Sequence, residues 1–344
     1  MSETLILESP GTLHAETRQV PEPGPGEVRV RMAFAGICGS DLHYFLHGGF
    51  GKVRMQRPMV LGHESCGTIE AVGDGVDPAR LGQPVAVNPS LPCGECVECR
   101  AGRARFCTDM CFMGSAMRNP PVEGAFRQHV VCTVAQAVPF AGVALEEAAL
   151  AEPLAVCLHA IAQAGDLMGK RVLITGFGPI GALCLLAARH AGAAHITVTD
   201  VSEGALDLAR RLGADDAFDS TQPGALDGLT QGRGQVDVSL ECSAHPSAIA
   251  DAIAATRPCG TVVQVGMLGA ETTAPLTHVV TKELNFRGTF RFDVEFAEAV
   301  DLIASRNIDV RPLISQRLPL SAAAEAFALA QDRSKSMKVL FDLA

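Results

Sequence analysis

The chain has 344 residues, 48% of them hydrophobic, 19% charged and 5% aromatic, a balance that excludes a disordered or collagen-like polymer and suggests two domains. Its 28 Lys and Arg against 38 Asp and Glu give a formal charge of −10, the wrong sign for a protein that lives on phosphate backbones, so nucleic acid is not an expected partner. Met1 to Val20 has no basic start followed by an apolar stretch, and no apolar run approaches the roughly 18 residues of a membrane span; the expectation is a soluble, unprocessed, cytoplasmic protein with no membrane partner.

In chain order, Val28–Phe34, Cys66–Val72 and Gln83–Val87 are short alternating or apolar runs broken by glycine and proline, which predict β-rich structure with long loops. Between them, 44–59 carries Gly48, Gly49, Gly51, Lys52, Arg54, Arg57 and Pro58 without periodicity and predicts an exposed functional loop. From Leu145 to Gly165 the pattern becomes helical, with Pro153 at a possible helix start. Strand and helix signals then alternate: Arg171–Thr175, Pro179–Ala191, His195–Thr199, Ser202–Leu212, Val236–Leu240, Pro246–Thr256 and Thr261–Val265. That alternation predicts a doubly wound parallel sheet covered on both faces. Helical segments Val294–Ser305 and Ser321–Ala330 and a strand Lys338–Phe341 close the chain, with no internal repeat. Cys157, His159 and Cys184 fall in apolar helical runs and read as packing residues.

Twelve cysteines without a leader-like segment point to metal rather than to a disulfide framework. Cys93, Cys96, Cys99 and Cys107 lie within fifteen positions, with Pro92, Gly94 and Gly102 to let the chain wrap. Four thiolates with no open position describe a closed, structural zinc site; paired disulfides or an iron–sulfur cluster are the alternatives. Cys38, in Gly36-Ile37-Cys38-Gly39-Ser40-Asp41-Leu42-His43, and Gly62-His63-Glu64 offer a sparser set of one thiolate, one imidazole and a carboxylate, suited to a catalytic zinc with an exchangeable position. Spacing alone leaves open that Cys38 is a buried small hydrophobe and His63 a core histidine.

Directly after the strand Arg171–Thr175 comes Gly176-Phe177-Gly178-Pro179-Ile180-Gly181 and then a helix. Gly176 permits the tight turn, Gly178 lets the backbone approach a pyrophosphate, and Gly181 lets helix and strand pack closely, with the anion resting on the helix N-terminus. Asp200, 24 positions beyond Gly176, is near the roughly 20-residue spacing of an acid that binds the adenosine ribose and repels a 2′-phosphate, which favours NAD over NADP.

Taken together, Gly62-His63-Glu64-Ser65-Cys66-Gly67 and these motifs make the chain resemble the zinc-dependent medium-chain dehydrogenases along essentially its whole length. Within them it is similar to the sorbitol dehydrogenase branch in Gly36–Tyr44, Val87–Gly94, Met113–Met117, Ala151–Val156 and Gly288–Phe292. The resemblance implies a β-rich GroES-like catalytic domain, residues 1–145 and 290–344, and an inserted Rossmann domain, residues 146–289. It implies two zinc ions per chain: a catalytic one on Cys38, His63 and Glu64, with Glu152 beside the metal and binding it directly or through water, and a structural one on the four clustered cysteines. Gly176, Gly178, Pro179, Ile180, Gly181, Asp200, Val265, Gly266 and Met267 match cofactor contacts, and Tyr44, Glu152, Arg291 and Phe292 match substrate-pocket positions. A basic residue that many NAD-dependent relatives carry five positions after the ribose Asp is Ala205 here, which leaves NADP open as a second cofactor.

The expected activity is oxidation of a sugar acid or polyol by hydride transfer to the nicotinamide, in a homodimer or homotetramer. Ser40 and His43, three positions apart, either pass the hydroxyl proton to solvent or only fix the loop after Cys38. A substrate carboxylate calls for an Arg; of Arg54, Arg118, Arg127 and Arg291, the last matches a pocket position and the other three read as surface charges. A non-catalytic descendant would have lost Cys38, His63, Glu64 or Ser40, and all four are present.

Overall fold

The computed structural model describes residues 1–268 and 271–344. The chain divides into two units, Met1–Glu152 with Phe296–Ala344, and Pro153–Glu295. The first crossing therefore falls seven residues beyond the expected 145, because the intervening segment is tied into the first unit: the Cys66 thiol donates to the Leu145 carbonyl at 2.8 Å. Nearby, Glu147 pairs with Arg306 and Glu146 with Arg317.

The first unit is built on a seven-stranded sheet. Its central strand, Glu27–Gly36, pairs antiparallel with Glu64–Val72 on one side and with Lys338–Asp342 on the other, and also with His129–Thr133. Apolar residues alternate along the central strand, with Val28, Val30, Met32 and Ala35 buried, as expected of a half-covered antiparallel sheet. A second, three-stranded sheet joins Thr12–Arg18, Ser2–Ser9 and Met59–Val60. Phe126, Phe327 and Phe341 cluster in the core between them, the Phe126 and Phe341 rings meeting edge-on with centroids 4.8 Å apart. Part of the loop predicted over 44–59 is helical: Gly39–His47 forms a helix that ends on Gly48 in the left-handed region, and the remainder folds back as a two-strand ribbon, Gly49–Phe50 with Val53–Arg54.

The second unit holds six strands in the order 216–219, 195–200, 171–175, 236–241, 256–264, 285–288, all parallel. Numbered along the chain, that is the 3-2-1-4-5-6 order of a doubly wound dinucleotide fold. Its middle strands are almost wholly buried, with Val172–Ile174 a continuous apolar run and Val236, Val238 and Leu240 apolar on the neighbouring strand, as cover on both faces demands. Cys157 and Cys184 are fully buried, and His159 joins Glu295 at 2.7 Å. Among the described residues no helix is long and apolar enough to cross a membrane.

Candidate active site

The strand Glu27–Gly36 runs into Ile37 and Cys38, and the helix Gly39–His47 starts immediately after. Asp41, in the first turn of that helix, turns its carboxylate back to accept from the Cys38 N–H at 2.9 Å and the Gly62 N–H at 3.1 Å, with His63 Nδ1 3.7 Å away. One fully buried carboxylate thus clamps the two segments that carry the candidate ligands. Gly62 has φ +95°, and any Cβ there would strike the Phe126 ring at 2.4 Å, which gives the glycine of the Gly-His-Glu motif its physical reason. His63 stands against the Phe112 ring, centroids 5.6 Å apart, and Glu64 opens the strand that follows.

These constraints bring ligand atoms of Cys38, His63 and Glu64 to within 4.8 Å of one another. Burial and the nearby Glu64 push the Cys38 thiol up to about 12. Burial likewise pushes the Glu152 carboxyl up to about 8, with Glu64 adding to the rise and His63 opposing it. Thiolate and carboxylates crowded out of water disfavour one another's charge; a divalent cation among them reverses that preference, and a sulfur, a nitrogen and an oxygen ligand suit zinc. Glu152, in the first turn of the helix Ala151–Ala164, is buried beside the trio but is not part of the converging set.

A residue that sequence reasoning missed completes the arrangement. Lys338, 3% exposed, lies at the start of the last strand and donates from Nζ to both oxygens of Glu64, at 2.8 and 2.6 Å, and to the Ile37 carbonyl at 3.3 Å. Burial alone would lower its pKa, yet Glu64 and Cys38 raise it. A Lys heading an otherwise apolar strand is a faint signal, and nothing local in the sequence connects it to Glu64. Asp41 was visible within the quoted motif, but its three-residue spacing from Cys38 yields a role only once the helix start is known.

The four clustered cysteines form a separate site. Their sulfurs also converge within 4.8 Å, and backbone N–H groups point at them: Cys93 to the Cys107 sulfur at 3.2 Å, Cys96 to that of Cys93 at 3.4 Å and Asp109 to that of Cys107 at 3.4 Å. The N–H groups of Cys99 and Thr108 pull the Cys96 thiol down to about 6. All four are free of disulfide bonds, so a closed tetrathiolate zinc fits.

Of the remaining candidates in this unit, Ser40 lies in the first turn of the helix after Cys38 and His43 one turn on, exposed. Tyr44 is buried; its hydroxyl accepts from the Ala116 N–H at 3.0 Å and its ring meets Phe50 edge-on. Arg127 is committed to Glu123 at 3.0 Å.

In the second unit the glycine turn is shaped as its sequence requires. Gly176 has φ +84° and lies against Ser243, while a Cβ on Gly181 would meet the Gly176 carbonyl at 2.0 Å. Pro179 opens the helix, and Gly178 at its cap has no side chain to occupy the first-turn N–H groups of Ile180 and Gly181, so the cradle fits a pyrophosphate. Asp200 ends the second strand and accepts from the Phe177 N–H at 2.6 Å and the Ser202 N–H at 2.9 Å, which fixes the acid beside the turn. No sequence pattern marks Glu241, whose fully buried carboxylate accepts from the Ser243 and Ala244 N–H groups at 2.8 and 3.0 Å. The Glu241 carbonyl holds the N–H groups of Val265 and Gly266, both at 2.8 Å. Met267 is exposed, Phe292 is buried, and Arg291, with φ +55°, lays its guanidinium 4.9 Å from the Phe290 ring centroid.

A parallel dinucleotide sheet and a thiolate–imidazole–carboxylate cluster define a nicotinamide-dependent, zinc-binding oxidoreductase. The alcohol dehydrogenase GroES-like domain matches residues 24–142 and the zinc-binding dehydrogenase domain residues 179–305, and the chain belongs to that family. It is similar to L-idonate 5-dehydrogenase (NAD(P)(+)) of Escherichia coli K12, 41% identical over 94% of each chain. It is also similar to sorbitol dehydrogenase of Macaca fascicularis, 38% identical over 94% of this chain and 91% of that one. The crystal structure of the Escherichia coli L-idonate 5-dehydrogenase superposes with a TM-score of 0.95 over 99% of this chain and 98% of that one, at 38% identity.

Proposed function

We propose that the protein oxidises L-idonate to 5-keto-D-gluconate with NAD and catalyses the reverse reduction with NADH. The observation that carries this reading is the convergence of Cys38, His63 and Glu64 in a chain 41% identical to an L-idonate 5-dehydrogenase. The second reading, a polyol dehydrogenase acting on sorbitol or xylitol, is supported by the 38% identity to a sorbitol dehydrogenase.

The reaction breaks one C–H and one O–H bond and forms a carbonyl. Cys38, His63 and Glu64 would hold a zinc ion, which would supply Lewis acidity toward the substrate hydroxyl, and the glycine turn would hold NAD, which would supply the hydride acceptor. Ser40 accepts the hydroxyl proton as it gives up its own toward His43, which lies on the same helix face one turn later and, being exposed, passes a proton to solvent. Glu152 accepts a hydrogen bond from the reacting group. Tyr44 is the substrate contact of the first unit and Arg291 and Phe292 are those of the second, while Asp200 receives the ribose hydroxyls and disfavours a 2′-phosphate.

The exposed strand Asn285–Gly288, at one edge of the parallel sheet, supports assembly into a homodimer or homotetramer, since an open edge is a pairing surface. The twelve cysteines, none of them in a disulfide among the described residues, support a cytoplasmic location.

Initial rates of NADH and NADPH oxidation by zinc-loaded protein, with 5-ketogluconate and with fructose, test the reading. Preference for 5-ketogluconate and NADH supports it, whereas preference for fructose moves the protein to the polyol enzymes. Ser40→Ala is expected to lower turnover by about tenfold or more with zinc content intact.

A further inference from the structure

The loop that sequence analysis singled out for its three basic residues faces the segment after Met113 across an open groove of about 180 Å³. Lys52 and Arg54 line one wall; Ala116, Met117 and Arg118 line the other. The walls are clamped together where Asn119 donates to the Gln56 side chain at 3.0 Å. The groove adjoins the active-site candidates on both sides. The Ala116 N–H bonds the Tyr44 hydroxyl, and the ribbon carrying Lys52 and Arg54 leans through Phe50 on Tyr44 and His43, ring centroids 5.5 and 6.1 Å apart.

Three cations in one groove are unusual on a chain of formal charge −10. Their internal partners leave them with donors to spare. Arg54 gives one N–H to the His47 carbonyl at 2.6 Å, and Arg118 is held by Asp109 at 3.0 Å and by the Cys111 sulfur. Each guanidinium has five N–H donors. Lys52 has no ion-pair partner among the described residues. Such an electropositive groove attracts an anion against the repulsion of the rest of the molecule.

We infer that Lys52, Arg54 and Arg118 form a subsite for a terminal anionic group of the substrate, which they hold while the reacting carbinol lies at the Cys38–His63–Glu64 cluster. The inference rests on the sugar-acid reading for the identity of that group as a carboxylate; a phosphate ester on a sugar chain presents the same chemistry. The subsite sets the preference for an acid over a neutral polyol, which neither the zinc ligands nor the glycine turn can supply.

The test compares kcat/KM of zinc-loaded protein for 5-ketogluconate, fructose 6-phosphate and fructose in the wild type and in Lys52→Arg, Lys52→Gln, Lys52→Glu, Arg54→Gln and Arg118→Gln. The ratio of keto acid to fructose is expected to fall about tenfold in Arg54→Gln and further in Lys52→Glu, mainly through KM, with Lys52→Arg near wild type and the differences shrinking as salt rises. Because the series follows charge rather than size, a merely structural role does not reproduce it. Ratios that move together within about twofold in every variant overturn the subsite. If fructose 6-phosphate shows the effect and the keto acid does not, the group is a phosphate and the subsite stands. If the wild type reduces only fructose, the sugar-acid reading fails, and inhibition of that reaction by D-gluconate decides the subsite. Inhibition that weakens across the charge series upholds it, and absent or unchanged inhibition overturns it.

Discussion

The two cysteine-bearing sites of the catalytic unit are built in opposite ways. The tetrathiolate lobe takes all its sulfurs from fifteen consecutive positions, near the surface, and stabilises them with N–H groups of its own loop. The Cys38–His63–Glu64 cluster is assembled across the whole unit: Asp41 clamps two segments, and Lys338, 274 positions from Glu64, closes the back of the site. A site made from one loop can be closed and purely structural. A site made where several elements meet can leave one side open to a reactant while the other side is held by buried charge.

That contrast fixes what each substitution should do. Cys38→Ala is expected to lower turnover by about three orders of magnitude, the scale of several kcal/mol of Lewis-acid stabilisation, with little change in melting temperature; steady-state rates and calorimetry check both parts. Lys338→Met strands a 1% exposed carboxylate, and loss of one partner of a buried pair costs about 3–5 kcal/mol. Denaturant unfolding should show that loss, with Lys338→Arg recovering part of it.

Asp41→Asn keeps the size of the clamp but weakens its acceptance from two N–H groups and its hold on His63. Outer partners of metal ligands are worth about 10–100-fold, so catalytic zinc affinity or turnover should fall by that factor. The smallest effect on turnover is expected from Cys99→Ser. This change should release the structural zinc and lower the melting temperature, yet leave kcat within about threefold, because separate sites act nearly independently. A large fall in kcat with the active-site zinc retained would show that the lobe and the active site are coupled.

The same contrast explains what was legible in the sequence. The clustered cysteines and the glycine turn are local patterns, and the structure places their residues together without rearrangement. Alternating strands and helices also predicted the parallel sheet, since burial on both faces leaves continuous apolar runs. Thr12–Arg18 escaped notice because it is mostly exposed and polar, and Asn285–Gly288 because it is an exposed edge. The helix Gly39–His47 shows only in part in the sequence, since its short span ends among glycines. Lys338 was invisible for a different reason, since its partners Glu64 and Ile37 are set by tertiary folding. Glu241 bonds the nearby Ser243 and Ala244 N–H groups, and only its burial at the strand end, which no pattern marks, gives it a role. Arg54 and Arg118, read as surface charges, acquire a shared groove only when the two loops are brought face to face.

The most direct measurement is the zinc content of purified wild-type protein, Cys38→Ala and Cys99→Ser by elemental mass spectrometry, beside their NADH-linked rates. The account requires two zinc ions per wild-type chain, matching its two ligand clusters. Each variant should hold one, and only Cys99→Ser should remain active. A single zinc in the wild type, or full zinc and full activity in Cys38→Ala, would contradict it.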